Sequence, residues 1–171
     1  MRLFAVLVSL AVMVAVAQPA AADLKIAYLD GQAVLNNSQA GKKEREKIEK
    51  FFKQKKTELE KTEKQLDAQR KQFDKDKLTM SKAQSDKWKQ EFTAKVQAYQ
   101  QETAKAQREV QDKEREFTRR AGMEIQKIVV ALAAEKKISM VLEKSASGLL
   151  FAEDSMDITA DVIKQFDAKF K

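Results

Sequence analysis

Leu78-Thr79-Met80-Ser81-Lys82-Ala83-Gln84, near the middle of the chain, decides how the rest is arranged. Ser81 followed by Gln84 fits a capping box, in which the Ser side chain accepts from the backbone N–H three residues on. A helix that starts at Ser81 implies a reversal near residues 79–81. Upstream, Phe52, Leu59, Leu66, Phe73 and Met80 recur every seven residues, a stripe able to face a partner helix. The companion positions Lys55, Thr62, Gln69 and Asp76 are mostly polar, so this seam is narrow. Downstream, a richer stripe runs through Trp88, Phe92, Val96, Tyr99, Thr103, Ala106, Val110, Phe117, Ala121, Ile125, Ile128 and Leu132. A single uninterrupted helix of about 95 residues would reach on the order of 140 Å. Two stripes of differing phase with a cap between them favour an antiparallel hairpin, each leg roughly 60–80 Å long.

Outward from the hairpin the pattern changes at both ends. Lys25 to Asp30 reads as a strand stopped by Asp30-Gly31, and Ala33-Val34-Leu35 opens a short helix before Asn36-Asn37-Ser38. Ile138 to Glu143 reads as a strand, Ser145 to Gly148 as a turn, and Leu149 to Ala152 as another strand. Asp157 or Thr159 serves as N-cap of a last helix, on which Val162, Phe166 and Phe170 repeat at i, i+4, i+8. About three strands per chain make a sheet with open edges, and open edges demand partners. The fold class is therefore α+β, mostly α: a long antiparallel helical hairpin arm, residues 42–137, on a small β-containing body formed by residues 23–41 and 138–171.

Residues 1–22 read as a cleavable secretory signal. Arg2 is the positive n-region, Leu3 to Ala17 is uncharged and apolar, and Ala20-Ala21-Ala22 supplies the small residues of a cleavage site. The apolar stretch is shorter than the roughly 20 residues that span a bilayer. Beyond it there is no Pro, and Lys, Glu, Gln and Ala favour long helices. With no Cys and no His, the usual zinc sites and the Cys–His and Ser–His–Asp arrangements are excluded. Gly residues are too few and too scattered for a phosphate-cradling loop. No enzyme chemistry and no cofactor is expected. Residues 42–137 hold 27 Lys and Arg against 18 Asp and Glu, a net +9, so the arm is the basic part. Its basic residues alternate with acids rather than forming one stripe, and with export this argues against nucleic acid as a partner.

The run Asp157-Ile158-Thr159-Ala160-Asp161-Val162-Ile163-Lys164-Gln165, with the opening Lys25-Ile26-Ala27 followed by Gly31, resembles the Skp (OmpH-like) family of periplasmic chaperones. The layout of strand, charged hairpin and closing strand–strand–helix is similar along the whole mature chain. The resemblance implies a periplasmic homotrimer whose hairpins surround a cavity and hold unfolded outer-membrane proteins there without ATP, preventing aggregation. The competing reading is a structural coiled-coil protein of the envelope. Trimer contacts are then expected at Ile26, Tyr28, Val141, Leu150, Val162 and Phe166. An anionic membrane surface or lipopolysaccharide is a further partner the arm's charge admits. Some family members carry a lipopolysaccharide-binding basic cluster with an adjacent Arg pair. The corresponding stretch here, Ala104-Lys105-Ala106-Gln107-Arg108, lacks the pair, and that site is not carried over.

Candidate client-binding residues cluster toward the arm tip: Phe73, Leu78, Met80, Trp88 and Phe92 as adaptable apolar contacts, and Lys75, Lys77, Lys82 and Lys87 as attracting charges. Each has a plainer role beside it. Phe73 and Phe92 would hold the two legs together, and the lysines would be a solvated helix face. Gly122 is either a hinge or a site of close helix packing.

Overall fold

A computed structural model describes residues 24–170, so the signal sequence expected at residues 1–22 lies outside the described residues. The first strand, β1 (Ile26–Leu29), ends at Asp30, whose carboxylate accepts from the Ala33 N–H at 2.8 Å and caps α1 (Gly31–Asn37). Ser38 breaks the path and caps the next helix, its buried Oγ accepting from the Gly41 N–H at 3.0 Å. The outgoing leg α2 (Gln39–Asp76) and the returning leg α3 (Lys82–Lys136) follow, then β2 (Met140–Glu143), a single 3₁₀ turn at Asp154–Met156, and α4 (Thr159–Lys169). At 1.5 Å per residue the legs are about 57 Å and about 82 Å long.

The two strands are parallel and in register from Ile26 opposite Met140 to Leu29 opposite Glu143. Parallel neighbours need a long crossover connection. Here the entire hairpin is that connection, which is why an arm can project from so small a sheet. On its other side β1 makes only an isolated bridge from Tyr28 to Asp157, with the Ile158 N–H donating to the Tyr28 carbonyl at 3.0 Å. The core lies at the arm's base, where Val34 of α1, Ile128 and Leu132 of α3, and Val162 and Phe166 of α4 pack with Leu29 and Ile138.

Three expectations are corrected. No strand forms over Leu149 to Ala152: β2 already occupies one edge of β1, and Leu150 and Phe151 stand 100 % and 84 % exposed with no ladder partner among the described residues. Val162 and Phe166 are completely buried, because α1 and α3 cover the apolar face of α4 within one chain, and Tyr28 is buried too. These three have little or no surface to offer another subunit. The N-cap of α4 is Ile158; Asp157 sits one residue earlier and its carboxylate still accepts from the Thr159 N–H at 2.8 Å.

Gly122 has nothing within 4 Å of where a Cβ would stand, so close packing inside the chain is not its reason. Gly41 is the glycine the fold requires. A Cβ there would lie 2.1 Å from the Leu35 carbonyl oxygen, because α1 folds back on the first turn of α2.

Candidate arm surface and its tip

The helical reversal is built as the sequence reading requires. α2 ends at Asp76, the chain turns over 77–81, and the Ser81 capping box is complete: the Gln84 N–H donates to Ser81 Oγ at 3.3 Å and the Ser81 N–H to Gln84 Oε1 at 2.9 Å. The legs run antiparallel, since Glu44 pairs with Arg120, Lys55 with Glu109, Gln69 with Lys95, and Phe73 stacks on Trp88.

The seam follows the predicted stripe with one slip. Leu59, Leu66, Phe73 and Met80 are half-buried, as are their polar companions Lys55, Thr62, Gln69 and Asp76. Phe52 is not on it. It is 50 % exposed, and Phe51 takes the interior place with the Lys113 ammonium 4.7 Å from its ring centre. A straight helix drifts by about 20° per heptad relative to a seven-residue repeat. Toward the base that drift moves the seam one residue back, through steps of four from Leu59 to Lys55 to Phe51.

At the distal end Phe73, Trp88 and Phe92 form one stack, with ring centres 3.8 Å and 4.6 Å apart and planes within 13°. Phe73 on Trp88 is the contact that joins the two legs, and Phe92 extends the stack along the returning leg. Leu78 is different: it sits in the turn, 90 % exposed, with Met80 half-buried beside it. Among the candidate lysines, Lys77 pairs with Asp74 at 3.1 Å and Lys87 reaches Glu91 at 4.0 Å. Lys75 and Lys82 have no ion-pair partner among the described residues. The arm's ion pairs are mostly exposed pairs three or four residues apart, worth a few tenths of a kcal/mol each. They solvate the arm more than they brace it.

The arm's base has a firmer joint. The half-buried Arg120 guanidinium pairs with Glu44 of the outgoing leg at 3.3 Å and lies 5.2 Å from the Phe170 ring centre. The arm's base and the body expose an apolar set of which the sequence reading names only Leu150: Met123 and Val130 on α3, with Met140, Leu150 and Phe151. One signal for it was present in Ile128-Val129-Val130-Ala131-Leu132, a helical run apolar on all sides, which marks a helix covered from two directions. Of the remaining expected trimer contacts, Ile26 and Val141 are half-buried.

Two groups in the body are electrostatically perturbed. The hydrogen bond from the Ser145 hydroxyl, at 2.6 Å, is the main reason the Glu143 carboxyl is held below its ordinary value. Backbone N–H groups of Ala146 and Gly31 add to it against the cost of desolvation. Burial, followed by the carboxylates of Asp157 and Asp154, raises the Tyr28 phenol above its own ordinary value. Among the described residues no group of His, Cys, Asp and Glu could hold a metal ion, and no helix is long and apolar enough to cross a membrane.

A family model described as "Outer membrane protein (OmpH-like)" matches residues 25–166, which takes in both body segments and the whole arm. The chain belongs to the OmpH-like family. Among solved structures it is similar to a protein described as an OmpH-like outer membrane chaperone from Caulobacter crescentus CB15. The TM-score is 0.78 at 23 % identity, over 84 % of each chain. At that identity the likeness speaks for the fold: a hairpin arm on a small body. Comparison with curated proteins finds no match.

Proposed function

We propose that this OmpH-like chain is an ATP-independent periplasmic holdase, a homotrimer whose three arms enclose unfolded outer-membrane proteins and keep them from aggregating. The observation that carries the reading is the division of labour between arm and body. The body and the arm's base are well packed yet leave Met140, Leu150, Phe151 and Val130 in water, a surface suited to other copies of the chain. The arm has no core of its own beyond a thin seam and carries a net +9. Three such arms around one volume would give it a positive potential that speeds capture of acidic unfolded chains. The exposed tip residue Leu78, with Met80, adds contacts that salt does not screen.

Holding by many weak contacts predicts that no single residue is indispensable. Diluting a urea-unfolded outer-membrane β-barrel into buffer and following light scattering tests the function, and sedimentation at micromolar concentration tests the trimer. Replacing Lys75, Lys77, Lys82 and Lys87 by Gln should slow capture at low salt and matter little near 1 M, where the Debye length falls to about 3 Å. A monomer that leaves client aggregation unchanged would favour the structural coiled-coil reading instead.

A further inference from the structure

The two sides of the arm differ at its middle. Opposite Leu59 the returning leg offers the small side chains of Thr103 and Ala106, so the legs leave unfilled space on either side of the seam. One cleft, of about 400 Å³, is polar, with Glu58, Lys61, Gln65, Glu102 and Lys105 around it. The other, of about 490 Å³, is walled by Phe52, Leu59, Tyr99, Ala106 and Val110. The slip of the seam supplies this second wall: because Phe51 turned inward, Phe52 was left at the cleft, half in water.

We propose that this apolar cleft seats a bulky uncharged side chain, aromatic or long aliphatic, from an extended segment of an unfolded polypeptide. The inference rests on the holdase reading and names where on the arm a client is gripped. Its volume falls in the range of sites that accept organic groups, and it is open to solvent rather than enclosed, so a chain can pass through without ending there. The rim argues against an acidic occupant, and the apolar wall of Phe52, Leu59, Tyr99 and Val110 favours an uncharged one. Lys56 is paired with Glu60 at 3.8 Å, and Lys55 is shared between Glu58 at 3.5 Å and Glu109 at 3.8 Å. Glu63 is the rim charge without an ion-pair partner among the described residues, and it disfavours an acidic group at the cleft. The positive arm would then draw an acidic chain in, and the cleft would select its apolar residues.

Two exposed glutamines make a matched test, Gln107 on the apolar cleft and Gln65 on the polar one. A photo-crosslinking residue at each, in the full mature protein, is challenged with a urea-unfolded outer-membrane β-barrel. Position 107 should capture the client at least about fivefold more than position 65. Phe52→Gln, at a half-exposed site the fold does not depend on, should release the client about fivefold faster, the effect of losing burial of roughly half a Phe side chain. Equal crosslinking at both positions while the wild type still suppresses aggregation overturns the cleft alone. Crosslinking from position 107 to a second copy of the chain overturns it in favour of an interface between arms. If the wild type holds no client at all, the holdase reading falls and the cleft with it.

Discussion

Replacing Gly41 by Ala should destabilise the protein by a net of about 1–3 kcal/mol, although alanine is the better helix former by about 1 kcal/mol. A Cβ at this position would stand 2.1 Å from the Leu35 carbonyl oxygen and 2.8 Å from Ser38 Oγ. Ordinary contact is more than 1 Å longer, and the obstacle is backbone, which cannot swing aside as a side chain could. α1 must therefore move against α2. That shift strains the Ser38 cap, worth about 1 kcal/mol, and loosens Val34, which is completely buried in the core. Forced displacement in a close-packed core costs typically 1–3 kcal/mol more. Gly122→Ala is the control, because nothing lies within 4 Å of its Cβ position; it should stabilise by about 0.5–1 kcal/mol. Urea unfolding at fixed protomer concentration, needed because assembly contributes to stability, reads both. With an m-value of about 2 kcal/mol/M, the Gly41 variant should lose about 0.5–1.5 M in midpoint and the Gly122 variant should gain slightly. A Gly41→Ala midpoint within error of wild type would show that the α1–α2 corner is not as tight as this geometry requires.

Lys137 ends α3 in the left-handed region at φ 55°. Lys137→Gly should therefore stabilise by about 0.5–1 kcal/mol in thermal or urea unfolding. Phe73→Ala should cost about 1–2 kcal/mol locally at a half-buried site. Because Trp88 is the protein's one tryptophan and stacks on that ring, its emission should shift to the red and amide exchange near the tip should quicken, with Val141 protected as before. Glu143 has its pKa lowered by the Ser145 hydroxyl, so its contribution to stability is present above the ordinary carboxyl value of 4.5 and is lost as pH falls through the lower folded value. Glu143→Gln should flatten that acid limb of a stability-versus-pH curve, and an unchanged limb would remove Glu143 from its cause.

Much of this fold is written locally. Ser81 and Gln84 announce the reversal because a capping box is satisfied within four residues, and the stripe from Leu59 to Met80 survives because a helix carries its own period. What depends on distant partners was not legible. Leu149-Leu150-Phe151-Ala152 has the composition of a strand, yet a strand exists only where a neighbour supplies a ladder, and none is present among the described residues. The apolar face of α4 looked surplus to a single chain because sequence gives no measure of how completely α1 and α3 would cover Val162 and Phe166. Phe51 and Phe52 are chemically identical neighbours. Only the accumulated drift of the helix decides which one enters the seam, and that choice placed an aromatic ring at the mid-arm cleft.

Connectivity explains how arm and body can be specialised separately. The parallel pairing of β1 with β2 joins residues over a hundred positions apart, so the body closes only when both legs of the arm are in place. Once closed, it is held by residues from the two ends of the chain together with the base of the returning leg, and the arm's distal half contributes nothing to that core. The seam beyond Leu59 can then remain thin and half polar without endangering the body. Opening a few distal turns costs only half-buried contacts and weak surface ion pairs, whereas opening the base must break the Glu44–Arg120 pair and expose Phe117. A thin seam is a poor way to make a rigid rod. It is a sound way to make an arm whose distal half can yield while its root stays fixed.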